Sequence, residues 1–335
     1  MLLAFGAGAR KCEQPRPAAD AHTFMQYRKF GRTGWNVSVL GFGASSLGGA
    51  FGPVREKDAT RAVHTALDLG INFLDVSPYD GSARAETVLG AALKGVKRES
   101  FILATSVGRH GHGESKVDYS GETVTSEVNA SLKRLGVAHI DLIQCHDVEF
   151  APVSQIVGET MPALQKLKQQ GKVRRIGITG LPLRVFRKIL DKASVDSVQS
   201  YCHYCLYDIT LVQLFSYLKT HGVGIINAAP FAMNLLTEKG PPAWHPAPAM
   251  IRDACARAAD HCRQRKGSLA KLALQFAVGG REIATTLVGS ANAKSIKENV
   301  KWIDEPIDLR LLAEVLDILS PIRNQSWPSG RPENN

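Results

Sequence analysis

Short apolar runs alternate with longer amphipathic stretches along most of the chain. Eight runs have the length and composition of strands, among them "INFLDVS", "HIDLIQCHD" and "VRRIGITG", and a stretch with helical periodicity follows each. The runs are almost continuously apolar, as expected of parallel strands buried on both faces. The pattern therefore predicts an α/β protein built on a parallel sheet.

Such alternation fits either a closed barrel or a doubly wound sheet. About 250 residues is typical of eight strand–helix repeats, which favours the barrel. The segment "GFGASSLGG" resembles a dinucleotide-binding fingerprint, but no helix follows it directly and the acidic partner is misplaced. We therefore predict a single (β/α)8 TIM barrel over residues 25–325, beginning at Met25.

Both ends of the chain lie outside this pattern. Residues 1–24 are rich in Ala, Pro and Arg and show no periodicity. They could form a weak targeting peptide, but Glu13 and Asp20 favour a disordered tail. Residues 326–335 are interpreted as a C-terminal tail.

Composition narrows the function classes. Of 335 residues, 44% are hydrophobic, and no apolar run reaches the roughly 18 residues of a membrane span. A net charge of +10 could indicate nucleic acid or an anionic cofactor. Lys and Arg are scattered over helix faces without aromatic interleaving, so a solvated surface is preferred to nucleic-acid binding.

The cysteines point to a reducing compartment. Six are present without framework spacing, which predicts free thiols and a cytoplasmic location. "CHYC", from Cys202 to Cys205, has the gap of a metal or redox pair. It lacks a second pair, so two ordinary cysteines are the preferred interpretation.

Polar residues stand where several predicted strands end. In a barrel of this kind, chemistry is located at the C-terminal ends of the strands. Those ends carry Asp75, Ser106, His146, Thr179, Tyr201, Pro230 and Ser290.

Three stretches, "GRTGWNVSVLGFGASSLGG", "GINFLDVSPYDG" and "LVGSANAKSIKENV", together resemble the aldo-keto reductases. "IQCHDVEF", "GKVRRIGITGLP", "SYCHY" and "LLTEKGPPAWHP" resemble one branch, the plant L-galactose dehydrogenases. The resemblance implies a barrel without a Rossmann domain. It also implies a monomer or homodimer that performs NAD(P)-linked oxidation of a sugar hydroxyl to a lactone, or the reverse reduction of a sugar or aldehyde carbonyl.

The resemblance further implies four catalytic side chains. A tyrosine moves the proton, a lysine lowers the tyrosine pKa, an aspartate positions the lysine, and a histidine polarises the substrate oxygen. The aspartate and histidine correspond to Asp75 and His146. The tyrosine position holds Asp80 and the lysine position holds Ser106, without gaps in the flanking segments.

Several groups could replace the missing pair. Asp80 could accept a proton through water, Tyr79 could move one position into place, and Lys116 could approach from its loop. His110 and His112 resemble metal ligands only faintly, because no Asp, Glu or Cys partners them at ligand spacing. Two hypotheses follow: a dehydrogenase with a rearranged acid/base, or a cofactor-binding pseudoenzyme that acts as a sensor or partner.

The cofactor side keeps more of the implied pattern. "AAPFAMNLL" resembles the family's pyrophosphate loop, and "VGSANAKSIKEN" resembles the segment that clamps the adenosine half. No arginine stands near Ala291 and Ser295, which favours NAD, with NADP as the alternative. The expected cofactor-binding residues are Thr179, Tyr201, Pro230, Phe231, Ala232, Gly289, Ser290, Lys294, Ser295, Glu298 and Asn299.

Overall fold

The structure, a computed structural model, describes residues 25–49, 52–111 and 117–335. The expected N-terminal tail, His112 and Lys116 lie outside these residues. Within them, eight parallel strands close into a barrel, so the predicted fold class is confirmed. In chain order the barrel strands are β3 (Leu40–Gly43), β4 (Phe73–Asp75), β5 (Ile102–Val107), β6 (Ile140–Cys145), β7 (Val173–Gly180), β8 (Ser197–Tyr201), β9 (Gly224–Ala228) and β10 (Thr285–Val288).

The barrel closes because β10 pairs with both β9 and β3. Hydrogen bonding between neighbours fixes the register; Ser106 of β5, for example, lies opposite Gln144 of β6. Every residue of β6 is buried, as the apolar run predicted. The strands therefore deliver their last residues to one common end.

Helices cover the outside of the barrel. They are α1 (Glu56–Asp68), α2 (Arg84–Leu93), α3 (Gly121–Leu135), α4 (Val153–Gln155), α5 (Met161–Gln169), α6 (Leu183–Leu190), α7 (Val212–Thr220), α8 (Ala249–Gln264), α9 (Leu269–Val278), α10 (Ala293–Asp304) and α11 (Leu309–Ile318). A π-helical turn over Ile156–Thr160 joins α4 to α5. Side chains cap several helices: the Ser120 hydroxyl accepts the Thr123 amide at the start of α3, 3.3 Å away.

A hairpin of β1 (Tyr27–Lys29) and β2 (Asn36–Ser38) precedes the barrel. The apolar run "VSVLGFG" is thus divided between the hairpin and β3. Phe30 stacks on Trp35 at 6.2 Å between ring centroids and meets Phe73 edge-on at 5.7 Å. These rings fill the N-terminal end of the barrel, so the open end is the one where the strands finish.

The five cysteines that the structure describes are buried and free. The Cys205 thiol donates to the Cys202 carbonyl at 3.5 Å. "CHYC" is therefore a turn with two buried thiols. In the part of the chain that is described, no helix combines the length and apolar character needed to cross a membrane.

Candidate active site

The turn after β4 holds the residues of "FLDVSPYDG" in fixed positions. The Asp80 amide donates to the Ser77 carbonyl at 3.1 Å, and the Ala85 amide donates to the Asp80 carbonyl at 3.3 Å. Gly81 has a φ of +60°, and a Cβ there would lie 2.2 Å from the Gly48 carbonyl oxygen. The backbone around Asp80 is therefore closely packed against the segment that follows β3.

Asp75 ends β4 inside the mouth of the barrel. The Gln144 side-chain amide donates to its carboxyl oxygen at 2.9 Å and also reaches the Gln199 side-chain oxygen at 3.2 Å. Burial, reinforced by the nearby Asp80 charge, raises the pKa of Asp75 to about 8. Asp75 therefore tends to hold a proton near neutral pH.

Asp80 shares this environment. Burial raises its pKa to about 7, and the charges of Asp147 and Glu86 act in the same direction. A hydrogen bond with the Ser77 backbone partly opposes the shift. Two carboxyl groups that influence each other thus stand where the resemblance implies an aspartate and a tyrosine.

His146 follows β6 and faces the same pocket. Its Nδ1 lies 3.0 Å from the Ser77 hydroxyl, and its Nε2 lies 3.8 Å from an Asp147 carboxyl oxygen. Burial lowers the pKa of His146, which favours the neutral imidazole. When Nδ1 accepts the Ser77 proton, Nε2 carries the hydrogen and can donate it to a carbonyl oxygen.

Ser106 is buried near the end of β5, and Tyr79 lies half-buried beside His146. The cation that covers Tyr79 is Arg109, whose guanidinium carbon lies 4.7 Å from the tyrosine ring centroid and 4.0 Å from that of Phe150. Arg109 is ion-paired with Asp147. The sequence interpretation missed both residues of this pair, although Asp147 stands inside the quoted segment "IQCHDVEF" and Arg109 lies three positions after Ser106.

The Thr179 side chain is hydrogen-bonded to Asp147 in this structure. Its hydroxyl accepts the Asp147 amide at 2.9 Å and lies 3.3 Å from an Asp147 carboxyl oxygen. Asp147 has a φ of +48°, so the hydroxyl supports an uncommon backbone conformation. Cofactor contact by Thr179 remains a prediction.

The loop after β9 contains several residues with a left-handed backbone. Ala229, Ala232, Met233 and Asn234 have φ values of +52°, +45°, +50° and +76°. Amides of this loop donate to its own carbonyls: the Ala232 amide to Ala229 at 2.8 Å and the Leu235 amide to Ala232 at 3.1 Å. Pyrophosphate binding by the loop remains a prediction. Pro230 and Ala232 are buried and Phe231 is half-buried, so side chains anchor the loop.

The segment after β10 leads into the N-terminus of α10. The Asn292 side chain caps the helix by accepting the Lys294 amide at 2.9 Å, and the Ser290 hydroxyl accepts the Asn292 amide at 3.0 Å. The helix N-terminus favours a negative charge. Gly289, Lys294 and Glu298 are exposed, Ser290 and Ser295 are half-buried, and Asn299 is buried. Adenosine binding by these residues remains a prediction.

Residues 326–335, interpreted from sequence as a tail, lie against the barrel. The Ser329 hydroxyl donates to Glu149 at 2.9 Å, and the Asn334 amide donates to the Glu149 and Ala151 carbonyls at 3.0 and 2.9 Å. Burial raises the pKa of Tyr201, the half-buried residue that ends β8, and Ser329 partly opposes this shift. The C-terminal segment therefore forms one wall beside the open end.

Two open cavities of about 400 and 500 Å³ lie elsewhere, both bordered by Trp35, His139 and Arg174. They are at the N-terminal end of the barrel. Their cations are engaged: Arg174 binds Asp141 at 3.1 Å, and Lys168 of the smaller cavity binds Asp196 at 3.3 Å. Among the described residues, no three His, Cys, Asp or Glu side chains are placed to hold a metal ion. The C-terminal end is thus the candidate active site.

Comparison with known proteins agrees with this geometry. Residues 39–318 match the model of the "Aldo/keto reductase family". The chain belongs to this family. It is therefore an oxidoreductase by family, and members of the family use nicotinamide cofactors.

Individual relatives give the same picture. L-galactose dehydrogenase of Arabidopsis thaliana is 47% identical over 321 residues, covering 93% of this chain and all of the relative. D-arabinose 1-dehydrogenase of Saccharomyces cerevisiae is 31% identical, over 64% of this chain and 66% of the relative. An aldo-keto reductase of Bacillus halodurans, solved in its holo form, superposes with a TM-score of 0.73 at 28% identity, covering 92% of this chain and 99% of the other.

Proposed function

We propose that this aldo-keto reductase is an NAD(P)-linked dehydrogenase of small sugars, with L-galactose as the first candidate substrate and a lactone as the product. The observation that carries the proposal is the placement of Asp75 and His146 at one open barrel end. The plant relative named L-galactose dehydrogenase aligns over all of its own length, which supports the choice of sugar.

The side chains fit this chemistry. When bound, the nicotinamide ring accepts or supplies a hydride. His146, neutral and hydrogen-bonded to Ser77, can orient the substrate oxygen from which a proton leaves. Asp80, with a pKa of about 7, is a carboxyl group that can accept a proton near neutral pH, directly or through water.

The cofactor preference that we propose is NAD. Ala291 and Ser295 are half-buried at the start of α10 and carry no charge. The cations of this region, Lys294 and Lys297, are exposed and flexible. An arginine would bind a 2′-phosphate with two parallel hydrogen bonds, whereas a lysine offers only a point charge.

One observation favours a second candidate function. Asp80 and Ser106 stand where the resemblance implies the proton-transfer tyrosine and its lysine. A barrel that binds the dinucleotide without efficient turnover would act as a sensor or as a partner of another protein.

A two-stage experiment separates these possibilities. Fluorescence titration of the purified protein with NADH and NADPH measures binding, and L-galactose turnover with NAD measures activity. D-galactose provides the stereochemical control. Saturable binding with turnover of L-galactose alone is expected. Binding without turnover of any sugar or aldehyde would favour the pseudoenzyme, and absence of binding below millimolar concentration would refute both.

A further inference from the structure

Tyr79 is held beside His146 by a shared partner, Ser77. The Ser77 hydroxyl accepts the Tyr79 amide at 3.1 Å and lies 3.0 Å from His146 Nδ1. The tyrosine ring meets the imidazole edge-on, with centroids 5.4 Å apart and planes 87° apart. One serine therefore fixes the phenol and the imidazole relative to each other.

A cation covers the same phenol ring. The Arg109 guanidinium is sandwiched between Tyr79 and Phe150, at 4.7 and 4.0 Å from their ring centroids. The Arg109 side chain is 13% exposed and the side chain of its ion-pair partner Asp147 is 7% exposed. In so dry an environment a fixed positive charge acts strongly on its neighbours.

Asp147 is anchored in turn. Thr179 binds both its amide and its carboxyl group, and the Tyr119 hydroxyl donates to its carbonyl at 2.8 Å. The carboxylate therefore cannot easily swing away from Arg109. Together, Tyr79, Arg109 and Asp147 form a chain of phenol, cation and carboxylate, which we call the Tyr79 stack.

We propose that Tyr79 transfers the proton in this enzyme, and that Arg109, positioned by Asp147, supplies the positive charge beside it. This inference rests on the proposed function. In the reductive direction, a reduced nicotinamide, when bound, would supply the hydride for the new C–H bond at the carbonyl carbon. The Tyr79 O–H bond breaks and its proton goes to the carbonyl oxygen, so that the carbonyl is reduced to an alcohol and the nicotinamide is oxidised. Solvent then reprotonates the phenolate.

The competing group is Asp80. Its carboxyl group hydrogen-bonds to the backbone of its own turn at Ser77 and lies near the negative charges of Asp147 and Glu86. Within the part of the chain that the structure describes, no cation is among the groups that shift its pKa. Tyr79, by contrast, faces Arg109, whose charge stabilises the phenolate that proton donation leaves behind.

Titration distinguishes the two groups. Burial raises the pKa of Tyr79, while the Arg109 charge opposes that shift. A Tyr79 acid thus stays protonated through neutral pH, so carbonyl reduction should fall only in the alkaline range. The oxidation of an alcohol needs the phenolate, so its rate should rise toward high pH. If Asp80 were the base, the rate of alcohol oxidation would instead rise with pH around the Asp80 pKa of about 7. We call this rising part of the pH profile the limb of oxidation.

The test compares single variants of the full-length protein in both directions, with L-galactose and NAD and with a sugar aldehyde and NADH. Tyr79→Phe removes only the hydroxyl and keeps the ring under Arg109. Its kcat should fall by about 10²–10⁴-fold, the usual cost of losing a positioned acid or base. The NADH dissociation constant should stay within about twofold. Asp80→Asn should cost less than about tenfold.

Arg109 needs a readout beyond lost activity, since it acts through Tyr79. Arg109→Met should move the alkaline limb of oxidation to higher pH, because the phenolate loses its counter-charge. Arg109→Lys keeps a positive charge, so its activity and the pH of its limb should lie between those of Arg109→Met and the unmodified protein. A purely structural role would change the melting temperature and leave the limb in place.

The chain contains a matched control on its surface. Arg187 lies over the ring of Tyr217 at 4.9 Å, the Tyr217 hydroxyl donates to Asp191 at 2.8 Å, and the His221 ring is 4.3 Å away. These residues lie on α6 and α7 or just beyond them. Tyr217→Phe and Arg187→Met should therefore leave kcat and its pH dependence unchanged.

The outcomes separate the inference from the proposed function. Loss of turnover in Tyr79→Phe, with the limb shift in Arg109→Met, supports the inference. If Tyr79→Phe keeps kcat within about threefold while Asp80→Asn loses it, the inference is overturned and the dehydrogenase stands. If the unmodified protein binds NADH but reduces no carbonyl and oxidises no sugar, both are overturned.

Discussion

Asp75 and Asp80 are five positions apart in sequence, and their carboxyl groups lie within electrostatic reach of each other. Burial raises both pKa values, to about 8 and about 7, so near neutral pH the pair is only partly ionised. Both groups bind protons more tightly in the folded protein than in the unfolded chain. Their contribution to stability is therefore complete below the unfolded pKa, near 4, and is lost as pH rises through 7 and 8.

Replacing Asp80 should show the direction in which this contribution to stability changes with pH. Asp80→Asn removes the ionisation, so its free energy of unfolding relative to the unmodified protein should increase from pH 5 to pH 8, by about 1–3 kcal/mol given ~1.4 kcal/mol per pKa unit. Denaturant melts at three pH values measure it. Asp118→Asn is the control, because hydrogen bonds to the Thr123 side chain and the Ser120 amide lower the Asp118 pKa, and its effect should be constant over this range. A gap that narrows toward pH 8 would contradict the assignment.

The two substituted positions allow a direct repair. Ser106 is buried on β5, the neighbour of the strand that carries Asp75. Asp80→Tyr with Ser106→Lys would place a phenol, an ammonium and the Asp75 carboxyl group in one pocket with His146. We expect L-galactose turnover to rise at least about tenfold, with each single change doing less because the two groups act as a unit.

Steady-state kinetics and the NADH dissociation constant check the repair. Unchanged binding together with higher kcat supports it. Binding without any gain in kcat would show that the pocket differs at further positions, and would strengthen the pseudoenzyme hypothesis. An unmodified protein that already turns over at an ordinary rate, about 1 s⁻¹ or more, would show that the missing pair is not needed.

At the level of elements, apolar runs predicted all eight barrel strands because each is buried on both faces. The pattern did not show the break at Val39, where the chain leaves the hairpin and its carbonyl accepts the Thr286 amide of β10 at 2.9 Å. Two helices, α8 and α11, were also missed. The buried face of α8 consists largely of Ala and Cys, so its periodicity is weak in hydrophobic character.

In the active site, too, the sequence predicted some residues and missed others. The roles of Asp75 and His146 were predicted from their positions at strand ends, together with the family resemblance. Arg109, Tyr79 and Asp147 follow three different strands, β5, β4 and β6. Sequence spacing carries no information on which loop folds over which, so the Tyr79 stack was visible only in three dimensions.

The first turn of α10 carries the next prediction. Ser295→Arg adds a planar guanidinium where an adenosine 2′-phosphate would lie, so the NADPH dissociation constant should fall by about tenfold while that of NADH changes little. Fluorescence titration measures both. Ser216→Arg, on the exposed face of α7, adds the same charge elsewhere and controls for nonspecific attraction. If the unmodified protein already prefers NADPH tenfold, the proposed NAD preference is wrong.

At the scale of the whole molecule, the two ends of the barrel have different roles. The C-terminal end carries Asp75, Asp80 and His146, whose pKa values are shifted by burial. The other end is closed by the hairpin, and Arg28 fastens it there by donating to the carbonyls of Gly280, Ile283 and Val278 at 2.6, 2.7 and 2.8 Å. These contacts join residues about 250 positions apart in the sequence, so they link the first element of the described fold to the connection that precedes its last strand.

This division predicts that stability and cofactor binding can be changed separately. Arg28→Met keeps an apolar stem but leaves three carbonyls without their charged donor, and should cost about 2–4 kcal/mol of unfolding free energy. Arg55→Met is the control: its pairing with Asp58 at 2.6 Å lies on the exposed start of α1, where such pairs contribute little to stability. Denaturant unfolding measures both, and NADH titration should give the same dissociation constant for both variants. Weaker NADH binding by Arg28→Met under folded conditions would show that the closed end is coupled to the site, because the Arg28 contacts would then influence the cofactor loops across the length of the barrel.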